Sequence, residues 1–175
     1  MTFRKYGLVR CLVGATAGAV LMISGLHNAT AQSSATANAS ATIVTAISIS
    51  KTTDLQFGAI VPGPGGNVVL STSSSRSATG VSLLSSSSFP VSAALFGISG
   101  GPNLAYSITL PTSTILTGPS SATMTVNTFV GNPSSSGTLD SGGNGSLSVG
   151  ATLTVGAGQT AGAYTGTFSV TVNYQ

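Results

Sequence analysis

The sequence predicts an all-β protein, an antiparallel sandwich of about eight strands. Three observations carry that expectation. Apolar residues recur at period two in one short segment after another, the mark of strands with one buried and one wet face. Clusters of Gly, Pro, Ser and Asn separate these segments at roughly 8–15-residue spacing. No helical period appears beyond residue 31.

Residues 1–31 read as a secretory signal, helical and outside the fold. Arg4, Lys5 and Arg10 form a positive start, and Cys11 to Leu26 is an uncharged apolar run of sixteen residues. Ala29-Thr30-Ala31 then supplies the small-x-small pattern of a peptidase site, placing cleavage between Ala31 and Gln32. Sixteen residues fall short of the ~20 that a membrane-spanning helix needs. The expected organisation is a signal at 1–31, an Ala-rich extension at 32–42 and one sandwich domain at 43–175.

The extension alternates Ala35, Ala37, Ala39 and Ala41 with Thr36, Asn38, Ser40 and Thr42, so an extended or disordered segment is expected rather than a helix. Ile43 to Ser50 reads as a strand with Ile43, Ile47 and Ile49 on one face, followed by a turn at Lys51–Asp54. Leu55, Phe57 and Ala59 begin a short strand. The segment 61–67 is a Pro/Gly loop, 68–71 a strand, 71–79 a Ser-rich connection, and Val81–Leu84 another strand. Phe89, Val91, Ala93 and Leu95 alternate before the parity switches to Phe96 and Ile98, which predicts a bulge near Leu95. Gly100–Asn103 then turns the chain into Leu104, Tyr106, Ile108 and Leu110, so 89–110 reads as a hairpin. A loop is expected at 111–121 and a strand carrying Met124, Val126 and Thr128 runs to Val130. The long turn-like stretch 131–145 leads to Leu147, Val149, Ala151, Leu153 and Val155, which alternate cleanly.

The charged residues beyond position 31 are Lys51, Arg76, Asp54 and Asp140, which balance. The basic isoelectric point of the whole chain, 9.4, therefore belongs to its first residues. No basic patch exists for nucleic acid or an anionic membrane. The single Cys11 and single His27 lie within residues 1–31, and the chain has no Glu. Acid–base and nucleophilic mechanisms need pairings that are missing here, so an enzyme, a metal site and a cofactor are not expected. Gly156-x-Gly158-x-x-Ala161 imitates a dinucleotide fingerprint, but a strand rather than a helix follows, which makes it a hairpin loop. Asp140-Ser-Gly-Gly-Asn144 has cation-type oxygens but one carboxylate, and reads as a turn. Asn38-Ala-Ser40 and Asn144-Gly-Ser146 fit the glycosylation triplet, a frequent chance match. An uncharged Ser, Thr, Asn and Gly surface tolerates packing against copies of itself, which points to a structural subunit or a secreted coat component rather than a freely diffusing enzyme.

In the last fourteen residues Tyr164, Gly166, Phe168, Val170, Val172 and Tyr174 share one face of a regular alternation. With Gly162 at their head and a penultimate aromatic, they resemble the terminal strand of bacterial chaperone–usher pilins. The segments Ala41–Lys51, Asp54–Gly58, Tyr106–Pro111, Leu147–Val155 and Tyr164–Val172 resemble, more broadly, a family of secreted bacterial proteins classed as domain-of-unknown-function family 4402. The resemblance implies an immunoglobulin-like, pilin-like sandwich missing one strand, whose groove a periplasmic chaperone fills first and the N-terminal extension of the next subunit fills afterwards. On that reading Gly162, Tyr164, Phe168, Val170, Val172 and Tyr174 border the groove. Ala35, Ala37, Ala39, Ala41 and Ile43 are the donor's inward residues. The pilin cysteine pair is absent.

The expected function is a secreted structural subunit that polymerises or docks by strand exchange at the bacterial cell surface. Its partners would be copies of itself or related subunits, a periplasmic chaperone and an outer-membrane usher. The alternative is a monomeric secreted binding or adhesin module, with residues 32–42 a loose terminus or the first strand of a self-complete sandwich.

Overall fold

The computed structural model describes residues 32–85 and 87–175. The signal helix and the cleavage residues Ala29 and Ala31 lie outside the described residues, of which Gln32 is the first. The chain divides into two units, Met1–Ser40 and Ala41–Gln175. In the first, residues 32–40 form no helix or strand and are exposed. All further description concerns the second.

Its strands are β1 Ser48–Thr53, β2 Gln56–Phe57, β3 Ala59–Val61, β4 Gly66–Leu70, β5 Arg76–Thr79, β6 Ser82–Leu84 and β7 Val91–Ser92. They continue as β8 Ala94–Ser99, β9 Ala105–Thr109, β10 Ser113–Thr117, β11 Thr123–Asn132, β12 Ser136–Thr138, β13 Asn144–Val155 and β14 Thr171–Tyr174. Among the described residues a single 3-10 turn, Pro119–Ser121, interrupts an otherwise all-β, antiparallel architecture.

β13 is the axis of the large sheet. Leu147, Val149, Ala151, Leu153 and Val155 are all buried, at 0–4% exposure, so its period-two pattern delivers an unbroken apolar face. One edge pairs with β11, which in turn pairs with β10. The other edge pairs with β8 along Asn144–Val149 and then with β4 along Ala151–Val155. β1 extends the sheet beyond β8, and β5 extends it beyond β4.

The second layer is discontinuous. The three-stranded sheet β12-β9-β14 covers one half of the inner face, packing Tyr106, Ile108, Leu139 and Val172 against Ala94, Ile98, Leu147 and Val149. The small ladders β2-β7 and β3-β6 lie over the other half, where Phe57 meets Val68, Leu70, Val126, Ala151, Leu153 and Val155. Val91, Leu83 and Ile60 pack around that second cluster.

Several expectations are corrected. Residues 89–110 do not form a hairpin: β8 pairs with β1 and β13, whereas β9 pairs with β12 and β14. The Gly100–Asn103 turn is tied to the 140–143 turn, through Gly100 N–H to Gly143 O at 2.8 Å and Asn103 N–H to Asp140 O at 3.1 Å, and it carries the chain between layers. The expected turn at Lys51–Asp54 is strand as far as Thr53, with a register shift between Lys51 and Thr53 opposite Leu95 and Phe96. The bulge foreseen near Leu95 is thus present, with its extra residue on the partner strand. Segments 71–79, 111–121 and 131–145, expected as loops, contain β5, β10 and β12, because Thr and Ile favour extended backbone where a neighbouring strand supplies partners. Thr128 does not continue the inward face of Met124 and Val126. A register shift between Asn127 and Val130, with Thr128 at φ 48°, turns Phe129 inward instead. Ile43 precedes β1 and is 98% exposed, although Ile47 and Ile49 do pack on the core.

The closing segment alternates in burial as expected, with Val172 buried and Tyr164, Phe168, Val170 and Tyr174 half-buried between exposed neighbours. As a ladder it is shorter than expected. Only Thr171–Tyr174 is strand, paired with β9, and Thr165 forms an isolated bridge with Thr117.

Candidate functional site

The gap in the second layer is an open groove of about 980 Å3. Its floor is the inner face of the large sheet, with Ala94 and Phe96 from β8, Val126 from β11, and Leu153 and Val155 from β13. Two segments form the rims. Residues 54–60 with Pro62 line one, and Gln159–Phe168 line the other. The rims stand at opposite edges of the sheet, because the first is tied to β5 and β7 and the second to β10.

Arg76 holds the first rim. From β5 its guanidinium donates to the carbonyl oxygens of Phe57 at 2.5 Å and Ala59 at 3.1 Å, and its other terminal nitrogen donates to Leu84 O. One planar fork thereby secures the ends of β2, β3 and β6. Gly58 sits between the first two acceptors at φ +71°, and an added Cβ would lie 2.7 Å from Arg76 Nη1. At the mouth, Lys51 and Asp54 form an exposed ion pair at 2.5 Å. Such a pair contributes little to stability.

The second rim is held by polar side chains. Gln159 Nε2 donates to Thr123 O at 3.2 Å and to Tyr164 Oη at 2.8 Å, and Tyr164 Oη donates to Thr160 O at 2.8 Å. The Thr117–Thr165 bridge adds two backbone bonds, and Thr114 Oγ1 donates to Thr167 O at 2.6 Å. Gly162 stands at φ +145°, a conformation open in practice only to glycine. An added Cβ there would lie 2.3 Å from Pro119 Cγ.

Between the Thr165 bridge and β14 the chain must pass from the edge of one sheet to the edge of another. Among the described residues, no backbone amide of Gly166–Val170 finds a backbone partner. This five-residue edge is about 17 Å long at strand rise. Phe168 ends the groove, its ring 5.0 Å from Phe129 and 6.2 Å from Phe96, centroid to centroid.

Of the six residues proposed for the groove from sequence, Gly162, Tyr164 and Phe168 line it. Val170, Val172 and Tyr174 lie beyond its end, against the other core cluster. Ala35, Ala37, Ala39, Ala41 and Ile43 are all exposed and belong to no strand. The residues missed from sequence are Arg76 and Gln159. A lone arginine within a serine run was the available signal for the first, and nothing in its pattern distinguishes the second.

The other motifs resolve into local structure. Asp140 Oδ1 accepts the amides of Gly142 and Asn144, each at 2.8 Å, so the carboxylate caps its own turn. Gly156–Ala161 is a turn with no helix after it. No group of three potential metal ligands occurs among the described residues. No helix among them is long and apolar enough to cross a membrane.

No curated protein matches the chain, and no solved structure does. The family described as a domain of unknown function (DUF4402) matches residues 47–174. That span begins at Ile47, the first side chain packed on the core, and ends at Tyr174, the last, so that family and folded unit coincide. The chain belongs to the DUF4402 family.

Proposed function

We propose that the protein is a secreted structural subunit, pilin-like, that assembles or docks with partners by β-strand exchange at the bacterial cell surface. The observation that supports this reading is an unladdered backbone edge, Gly166–Val170, whose first three residues, Gly166–Phe168, line an open apolar groove. Strand addition draws affinity from backbone hydrogen bonds and register from alternate side chains entering pockets. Both requirements meet over Gly166–Phe168.

The donor on this reading is the exposed N-terminal segment of a neighbouring copy or related subunit, with Ala35, Ala37, Ala39, Ala41 and Ile43 inward. Each Ala buries about one methyl, roughly 0.8 kcal/mol. Ile43, at 98% exposure, is the one large apolar side chain of the five and sets the register. A periplasmic chaperone would occupy the same groove before an outer-membrane usher exchanges it.

The test compares the protein beginning at Gln32 with a variant lacking residues 32–42, by size-exclusion chromatography and unheated SDS gels. The expected result is a ladder of SDS-resistant oligomers that disappears with those residues. Equally stable monomers in both cases would overturn strand exchange and leave a monomeric binding module.

A further inference from the structure

A strand has two edges, and the closing segment uses only one of them. Thr165 exchanges both backbone bonds with Thr117, Thr167 O accepts from Thr114, and Gln175 N–H reaches Ala105 O. Odd-numbered residues therefore turn their backbone groups towards β10 and β9. The even-numbered ones, from Gly166 and Phe168 on to Tyr174, turn theirs to the opposite side, where β14 is the edge of its sheet. At Gly166 and Phe168 that side is the groove. A peptide strand pairs with these groups, whereas an acyl chain would fill the space and leave them without partners.

The covered half of the sandwich shows what the layer spacing demands of such a strand. There Tyr106, Ile108, Leu139 and Val172 come from the second layer onto Ala94, Ile98, Leu147 and Val149. In the other half Phe57 and Leu83 pack in the same way with Leu70, Ala151 and Leu153. The small residues, Ala94 and Ala151, belong to the large sheet, so the second layer supplies the bulk. A strand laid into the groove faces Val126, Leu153 and Val155 across a core about 10 Å thick, and a methyl does not fill that depth. The charges at the mouth, Lys51 and Asp54, satisfy each other, and Arg76 is committed to carbonyl oxygens. The groove thus selects for apolar bulk and against charge.

We propose that the preferred occupant of the groove is an extended segment of a different protein, uncharged, with Leu, Ile, Val or Phe at alternate positions. Within the strand-exchange reading, on which this rests, the N-terminal segment of a second copy is the weak occupant that such a partner displaces. Ala35, Ala37, Ala39 and Ala41 carry only methyls to the floor, and Ile43 is the one side chain of the required size. Each methyl leaves a cavity that a Leu-sized side chain fills. Homotypic contacts are then provisional, and a partner with the bulkier strand replaces them at the same edge.

The probes are three fluorescein-labelled peptides. The first is residues 32–44 unchanged, the second carries Ala35→Leu, Ala37→Leu, Ala39→Leu and Ala41→Leu, and the third has the second's composition with its leucines contiguous. Each is titrated with the protein beginning at Gln32 by fluorescence anisotropy, and hydrogen exchange follows the amides of Gly166 and Phe168. The alternating Leu peptide is expected to bind about a hundredfold more tightly than the unchanged one. It should slow exchange at both amides, and convert the SDS-resistant ladder of the protein into one-to-one complexes at a concentration where the unchanged peptide does not. Equal affinity of the unchanged peptide would overturn the ranking of occupants and leave strand exchange between copies standing. An alternating peptide that binds no better than the contiguous one, or that leaves both amides unprotected, would overturn the proposal in favour of unspecific apolar adhesion. Absence of binding by all three peptides would overturn the proposal and the strand-exchange reading together.

Discussion

The hydroxyl of Tyr174 donates to the carbonyl oxygen of Thr45 at 2.7 Å. The phenolic oxygen of Tyr174 in turn accepts the amide of Gly101 at 2.6 Å. One phenol therefore ties the last strand to the residues leading into the first and to the turn between the layers. Tyr174→Phe keeps the ring and removes both bonds, at an expected cost of about 1–3 kcal/mol. Urea unfolding should show a lower midpoint with an unchanged slope, and the Gly101 amide should exchange faster. An unchanged midpoint would show that these bonds contribute nothing net.

Arg76→Met retains the aliphatic stem and deletes the guanidinium that holds Phe57 O, Ala59 O and Leu84 O. The expected loss is about 2–3 kcal/mol, set by carbonyls left without a charged donor. Because these acceptors form one rim, limited proteolysis should cut within 54–62 well before the rest of the domain. Cleavage elsewhere first would remove Arg76 from that role.

Phe168→Ala and Leu147→Ala separate rim from core. Leu147 is fully buried at 0% exposure, and its truncation should cost about 3–5 kcal/mol. Phe168 is half-buried against Phe129 and Phe96, and should cost about 2 kcal/mol. In the SDS-ladder assay the order should invert: Phe168→Ala abolishes oligomers in a protein that remains folded. A Phe168→Ala protein that still forms a full ladder would place the assembly edge elsewhere.

Burial pushes the phenol of Tyr106 above its ordinary range. Its neutral form is then favoured in the folded state, so its stabilising contribution is full below the unfolded value of about 10 and is lost as pH rises towards the folded value. Tyr106→Phe should flatten the fall of the urea midpoint between about pH 9 and 11, with a smaller effect at neutral pH. Parallel pH profiles for parent and variant would assign the alkaline loss to other groups.

How far the fold is legible depends on what a period-two pattern can carry. Leu147 to Val155 could be read directly, because a strand in the middle of a sheet needs only one unbroken apolar face. The closing segment was legible in its side chains and not in its backbone: Tyr164, Phe168, Val170, Val172 and Tyr174 turn inward, yet Thr165 bonds to Thr117 while Thr171–Tyr174 bonds to β9. Thr128 was misassigned because a bulge inverts parity without altering composition, and β5 was hidden because Ser and Thr suit a loop and an edge strand equally.

By itself the sequence determined the strand-forming periods, the balance of charge beyond residue 31 and the buried side of β13, since each depends on neighbours along the chain. The tertiary structure alone decided that Gly100–Asn103 crosses between layers, that Arg76 reaches three carbonyls, and that the space over Val126 and Leu153 is left open. Those outcomes rest on which strands are neighbours in space. A hairpin and a crossover, or a covered face and an uncovered one, bury the same alternate residues and so have the same pattern in sequence.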